Sequence, residues 1–579
     1  MDAGHAEYFD IEDPKEFYKA IERRNLRNEL SSTKPYVYWT MEVYDQQNGI
    51  KGGGGLGVLA ADTRRVAERL DVPFVLVTPF YRTELHQAVN NGVQTEWYKN
   101  VSPEEFGFQY VSDVTVQTGD GGNVQLGVFE KVLGSTRFVT ISEQNFGELY
   151  ASDGSGDHRL YQEAALGFGG YKALKLLGIR PAVIQLNETA TIFAAIARLD
   201  ELCRNGMNLY EAIVYVRKHT LYTNHTLVQA AESEFTREQF AHLVLPNIVS
   251  PGVRHWLDQQ FDSAGRLRLN VLAIELTEAK NGVSRLHARV TDFKDSSGER
   301  VKFHAVTNGI DLSTWVLPEI MEAYFRKGIL DKFELVSPDY AGHILELSGR
   351  EIRELKHTAR VRANELLASR KDQYGEVLTL PDDAVVFDFK RRFADYKRPW
   401  MPFERVDELK KILTEYNAHF VLAGKVWLGD TRMYMKLQEV LKLVADDELL
   451  RERVHYIQDY DEALGKALAF GSDIAINVPI IGLEACGTSW EKDIANLKLL
   501  ISTADGGVAD VSPLACLEVT GATYNDEVDS LYEQMHLAAS AIRDDALLEK
   551  AVHKQLIGYL PTISGARMMK EYLRFLFDK

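Results

Sequence analysis

Cysteine is scarce: Cys203, Cys486 and Cys516 are the only three in a chain of 579 residues. An odd, widely spaced set gives no disulfide framework and no metal-ligand spacing, which fits a reducing compartment. Positive charge is also in deficit, with 66 Lys and Arg against 84 Asp and Glu and a net charge of −18. That balance argues against a nucleic-acid partner, which asks for a basic face. It leaves room for a local basic pocket that takes phosphate. No apolar run approaches the length of a membrane span. The opening MDAGHAEYFD has neither a basic region nor an apolar core, so it does not read as a signal peptide, and a cytoplasmic location is expected. Low-complexity tracts and short repeats are absent. What is present is an ordinary globular composition, 45% hydrophobic and 26% charged, in a length that holds two large domains or three small ones.

The first half begins with a polar helical lead-in to about Lys34. An aromatic and β-branched run over 36–43 reads as a buried strand. A glycine run (52–57), a helix over 59–70 and a strand over 72–81 complete a βαβ unit. The run contains a literal G-x-G-x-x-G at Gly52, Gly54 and Gly57. A dinucleotide site needs the strand to lead straight into the glycines and an acid to end the next strand. Here a polar loop intervenes and no such acid follows, so the loop reads instead as a helix opening whose N–H groups meet a phosphate or sugar. Residues 106–142 alternate as antiparallel strands. Residues 159–178 form a long helix with packing glycines. Residues 182–199 read strand, polar corner, helix, which places Asn187, Glu188 and Thr189 at the end of a parallel strand, where α/β sheets put ligands. The Thr-Asn-His-Thr at 223–226, with His225, repeats that arrangement. Asn281-Gly282 and Thr307-Asn308-Gly309 read as tight turns.

The second half is helical from 317 to about 374. It then alternates strictly: strands over 385–389, 418–422, 454–457 and 474–477, with helices between them. Both halves read as α/β, doubly wound and Rossmann-like; two such domains facing across a cleft make the GT-B architecture. The first of these strands runs into KRRFADYKR (390–398), five of whose nine residues are basic in an acidic chain. Arginine forks and a lysine point charge at a strand end suit a phosphate dianion. From about 514 the chain is helical again.

The stretch 484–505, EACGTSWEKDIANLKLLISTAD, opens a helix after a small turn. Gly487 admits close approach to the main chain, Thr488 and Ser489 can cap the helix, and Lys492 stands one turn in. A lysine pressed among apolar neighbours is a candidate amine nucleophile.

Glu484, Ala485, Gly487, Thr488, Lys492, Asn496, Asp505 and Gly506 fall without a gap on the lysine segment of the α-glucan phosphorylases (glycogen, starch and maltodextrin phosphorylases), and the whole stretch resembles that family. The glycine loop, the strand-end motifs, the Asn-Gly-Val and Thr-Asn-Gly motifs and the basic run resemble it in the same order. The resemblance implies pyridoxal 5′-phosphate held covalently on Lys492, with Gly55, Leu56, Arg391, Gly487 and Thr488 around it. It implies that Arg392 and Lys397 hold the substrate phosphate, that Tyr396 and Asn308 meet the sugar, and that His225 approaches the reacting ring. Glu484 joins this catalytic set. The implied partners are an α-glucan or maltodextrin, inorganic phosphate and glucose 1-phosphate, with a homodimer as the assembly to test. Two positions depart from the pattern: Trp490-Glu491 stand where the family has Asn-Met or Gly-Met, and Ala190-Thr191 where it has a histidine. At helical spacing an inward Lys492 leaves Glu491 room to face solvent, and the Trp490 ring could wall the cofactor pocket. The implied domains are 1–315, rejoined by a last helix over 560–579, and 317–559. The implied activity is phosphorolysis of the terminal α-1,4-linked glucose. A retaining GT-B transferase with a nucleotide-sugar donor, a relative acting on another glycan, and a cofactor-free binding protein are the alternatives.

Overall fold

The computed structural model describes residues 30–577 apart from 51–53, 91, 150–153, 228–232, 296 and 427–428. Most of the polar lead-in and Gly52 of the glycine run lie outside the described residues. The chain divides into two compact units. One comprises the residues up to 84, 99–306 and those from 568 on; the other comprises 85–98 and 307–567. The division falls between Val306 and Thr307 and again inside the helix Gly565–Phe577, so 307–315 and 560–567 belong to the second unit.

The first unit is built on a nine-stranded sheet. Its strands are β1 (Tyr36–Trp39), β2 (Phe74–Pro79), β5 (Gln109–Gln117), β6 (Asn123–Leu133), β7 (Thr136–Ser142), β8 (Val183–Asn187), β9 (Thr220–Asn224), β12 (Ala279–Gly282) and β13 (His304–Ala305). Their order is β13-β12-β9-β8-β1-β2-β7-β6-β5. Pairing is parallel from β13 through β7, while β6 and β5 add antiparallel. Every residue of β1, β2, β8 and β9 is buried, as expected of parallel strands covered on both faces. A small antiparallel pair, β10 (Glu234–Thr236) and β11 (Arg266–Arg268), stands apart.

Three expectations shift here. The 36–43 run yields only Tyr36–Trp39 as strand. The following helix begins at Gly55, earlier than its apolar residues indicate. Asn281-Gly282 is no turn but the end of β12. Its glycine serves close packing instead: a Cβ there would lie 2.8 Å from the backbone nitrogen of Ala288 in the helix Arg285–Val290.

The second unit holds a six-stranded, wholly parallel sheet: β14 (Val385–Lys390), β15 (Ala418–Ala423), β16 (Val454–Ile457), β17 (Ile474–Asn477), β18 (Leu499–Ser502) and β19 (Leu517–Glu518), in the order β16-β15-β14-β17-β18-β19. Counted from β14 this is the 3-2-1-4-5-6 winding of a Rossmann sheet, whose direction reverses between β14 and β17. The hairpin β3 (Thr83–Asn90) and β4 (Val93–Asn100) has no counterpart in the sequence reading. Within the second unit it is tied down by Gln87 and Gln94, whose amides both donate to the carbonyl of Val426 at 2.7 and 3.1 Å.

Candidate functional site

The reversal of winding between β14 and β17 opens a crevice at their carboxyl ends. The basic run leaves β14 at that place. Arg391 Nη2 donates to Glu484 Oε2 at 2.7 Å, and its Nη1 donates to Asn477 Oδ1 at the end of β17. Lys397 Nζ reaches the same Glu484 oxygen at 3.0 Å. Glu484 is held in turn from behind, because its backbone N–H and that of Gly482 donate to the two carboxylate oxygens of Asp505, at 2.8 and 3.0 Å. Burial alone would push the Glu484 carboxyl up, but Lys397 and Arg391 bring it down to about 2. Burial, followed by the charge of Arg391, lowers Lys397 to about 8. Arg392 differs from both: it is exposed and makes no ion pair or hydrogen bond among the described residues. Tyr396 is half-buried under the Lys397 ammonium, 5.2 Å from its ring centroid, and burial raises its hydroxyl. Arg391, Arg392 and Lys397 outnumber the carboxylates of Glu484 and Asp505 by one, a positive balance that suits a phosphate anion.

Gly487 sits against this cluster. Its φ of +67° is left-handed, and a Cβ there would come within 2.6 Å of Arg391 Nη2. Only glycine satisfies both conditions. Thr488 occupies the N-cap of the short helix Ser489–Ala495, but its side chain makes no capping bond, contrary to the capping role read from the sequence. Lys492 is buried on that helix, with Nζ 3.3 Å from the centroid of the Trp315 ring. Trp490 turns away into the core, edge-on to Tyr559 at 5.2 Å, and donates to the Cys486 carbonyl. Glu491 does not face solvent: it is fully buried, and the Cys486 thiol donates to its Oε1 at 3.7 Å. The helix buries every face from Trp490 to Ala495, so helical spacing leaves no outward direction.

Asn308 lies in the same unit, 5% exposed, and its Oδ1 has no hydrogen-bond partner among the described residues. Arg567 anchors this loop by donating to the carbonyls of Thr307 and Asn308 at 2.7 and 3.1 Å. An unpaired buried carbonyl is costly without a ligand to donate to it.

The first unit carries the remaining candidates. Gly55 and Leu56 form the first turn of the helix Gly55–Arg69, with Gly54 at its N-cap and open space where side chains on Gly54 and Gly55 would go. The backbone N–H of Gly54 donates to Glu42. At the ends of β8 and β9, the His225 N–H donates to Glu188 Oε1 at 2.7 Å, and its ring Nε2 meets Asn187 Oδ1 at 3.1 Å. Burial and the neighbouring His287 depress the ring to about 3. It is therefore neutral, with Nε2–H donating and Nδ1 left as the acceptor. Glu188 itself takes a left-handed φ of +67°, a strained conformation for a non-glycine residue that functional sites often hold.

Sequence reasoning assigned no role to Trp315 or Asn477. The ring under Lys492 follows Asn308 by seven residues and ends the four-residue helix Leu312–Trp315, whose mixed composition gave no sign of contact. Asn477 ends a strand beside the basic run, and that position was a usable signal.

Two Rossmann-like α/β units in one chain define the GT-B fold class. Residues 255–573 match the model of the carbohydrate phosphorylase family, more than half of the chain, and the chain belongs to that family. It is 27% identical to the glycogen phosphorylase of Aquifex aeolicus, over 97% of this chain and 89% of the relative. It is 26% identical to the maltodextrin phosphorylase of Thermococcus litoralis, over 82% of this chain and 60% of the relative. It is 27% identical to the glycogen phosphorylase of Mycobacterium tuberculosis, over 78% and 58%. The match thus spans only about three fifths of the Thermococcus and Mycobacterium proteins. Among the described residues no helix is long and apolar enough to cross a membrane, and no His, Cys, Asp and Glu cluster is placed to hold a metal ion.

Proposed function

We propose that the chain is an α-glucan phosphorylase that transfers the terminal α-1,4-linked glucose of a glucan or maltodextrin to inorganic phosphate, giving glucose 1-phosphate with retained configuration. The observation that carries this reading is the end of β14, where Arg391 and Lys397 converge on one carboxylate beside a glycine that admits Arg391, with Arg392 exposed next to them in the chain. Pyridoxal phosphate fits the same unit. The buried Lys492 lies on the flat face of Trp315, suited to an aromatic ring beside the amine, and Arg391 and the Gly487-Thr488 main chain suit a phosphate group. Bound there, the cofactor would supply a phosphate group able to give and take a proton beside the substrate phosphate.

The protein's own groups have four tasks. Arg392 and Lys397 bind the substrate phosphate, with Lys397 passing from Glu484 to the anion. Arg391 stays on Glu484 and Asn477, and its charge lets two phosphates stand close together, which without cations would be prohibitive. Asn308 Oδ1 accepts a sugar hydroxyl, which satisfies its orphaned lone pairs. His225 offers a neutral acceptor at Nδ1. As the glycosidic bond breaks, positive charge grows on the sugar ring, and the held phosphate oxygens stabilise it.

A cytoplasmic location accompanies this reading, and light scattering tests for the homodimer. The deciding experiment is phosphorolysis of a panel of α-glucans with released glucose 1-phosphate measured. Product from maltodextrins supports the proposal. Consumption of a nucleotide sugar with no phosphorolysis would replace it with the transferase reading.

A further inference from the structure

Beneath Lys492, four charged side chains are almost wholly withdrawn from solvent. Asp388 and Lys390 point to one face of β14, Asp493 follows Lys492 on its helix, and Lys498 precedes β18. Lys390 Nζ donates to Asp493 Oδ1 and lies 3.4 Å from Asp388. Lys498 Nζ pairs with Asp388 at 2.8 Å and with Asp493 at 2.7 Å. Ser472 Oγ, just before β17, donates to Asp388 at 2.8 Å. The set is neutral, and Asp388 Oδ1 has no hydrogen-bond partner among the described residues. Both lysines hold Asp493 below the usual carboxylate range against the upward push of burial.

Stability does not account for this cluster. Desolvating four charges costs more than their mutual attraction reliably returns, and apolar side chains of the same volume commonly do as well or better. What an ion network adds is a unique geometry: charges tolerate one arrangement where apolar contacts tolerate several. Here the arrangement joins two pieces of the site. Lys390 is the residue before Arg391, and Asp493 is the residue after Lys492. The helix between them is only seven residues long, too short to hold its own position.

We propose that Lys390 and Asp493 are positioning residues that set the Lys492 helix in register with the phosphate-binding end of β14. Their role for catalysis rests on the phosphorylase reading, while the register itself does not.

The test replaces the pair with apolar isosteres, Lys390→Met with Asp493→Leu, in the full chain. This leaves the Asp388–Lys498 pair intact and neutral. The expected result is a melting temperature near that of wild type, with amide exchange raised at least about tenfold over 489–497 and unchanged elsewhere. The phosphate KM rises more than kcat falls, and Lys390→Arg, which keeps the ion pair, restores both. Unchanged exchange over 489–497, or exchange raised throughout the unit, overturns the inference. If the double variant does not fold, the fourfold variant that adds Asp388→Leu and Lys498→Met gives the same exchange comparison. Wild-type protein that releases no glucose 1-phosphate retires the phosphorylase reading, and the exchange experiment still decides the register.

Discussion

Lys397 and Arg391 donate to one and the same oxygen of Glu484, at 3.0 and 2.7 Å. A carboxylate so placed keeps the buried Arg391 and the half-buried Lys397 compensated. On the proposed function, binding phosphate here is an exchange of partners that involves Lys397 more than Arg391, which Asn477 also holds.

The exposed arginine should carry affinity without carrying stability. Arg392 has no partner to lose in the folded chain, so Arg392→Ala is expected to leave the melting temperature within a degree or two. Its loss should raise the phosphate KM by about tenfold or more, since a charge-assisted contact contributes roughly 1.5–3 kcal/mol. Wild-type phosphate kinetics in this variant would show that the residue is a solvated surface charge.

Phosphate binding should weaken as pH rises through about 8, where Lys397 loses its proton. The sign for stability runs the other way. The folded-state value lies below the unfolded 10.5, so between about 8 and 10.5 the unfolded chain binds more protons and this group's contribution to stability rises with pH. Lys397→Arg stays charged throughout and should flatten the upper limb of the phosphate KM profile. A profile with the same inflection in that variant would assign the titration to another group.

In acid the relevant group is Glu484. Its folded value of about 2 lies below the ordinary carboxylate value of 4.5, so its stabilisation is complete above the unfolded value and is lost as pH falls from there to about 2. Urea titrations between pH 5 and pH 3 should show a smaller loss for Glu484→Gln than for wild type. Parallel losses would contradict the assignment.

Gly487→Ala should be damaging out of proportion to one methyl group. It forces a side chain into a left-handed φ and towards the Arg391 guanidinium, a strain of about 1–3 kcal/mol that urea unfolding can measure. Activity should fall with it, because relief of the clash displaces Arg391.

Purified with pyridoxal phosphate and reduced with borohydride, the protein should carry a pyridoxyl group on the peptide containing Lys492. Lys492→Ala should carry none there. Label spread evenly over surface lysines would remove the cofactor assignment.

The second unit was the more legible half. Val454–Ile457 lies between Arg453 and Gln458, and Ile474–Asn477 starts after Ser472-Asp473 and ends just ahead of Pro479, so polar residues and a proline mark their limits. The basic run was visible because charge at the end of a buried strand is conspicuous in an acidic chain. The hairpin Thr83–Asn90 and Val93–Asn100 carried an Asn-Gly signal at 91–92 and alternating residues, but its polarity masked it. Asn281-Gly282 misled in the opposite direction, since its glycine answers to a neighbouring helix rather than to a turn. Asp388 and Lys390, two apart in an otherwise apolar strand, share one face. Their partners Asp493 and Lys498 lie over a hundred residues away, and only the fold brings them together.

Met568 and Tyr572 pack with Leu59, Leu221, Ala279 and Val306 in one cluster of the first unit, and Asn281 donates to the Tyr572 hydroxyl at 3.4 Å. The unit begun first on the ribosome is therefore finished late. Until Met568 and Tyr572 have left the exit tunnel, a strip of its core stays open, through the whole time the second unit is being made. Nascent chains arrested before residue 568 should show a first unit that proteases cut and chaperones hold, and release past that point should close it.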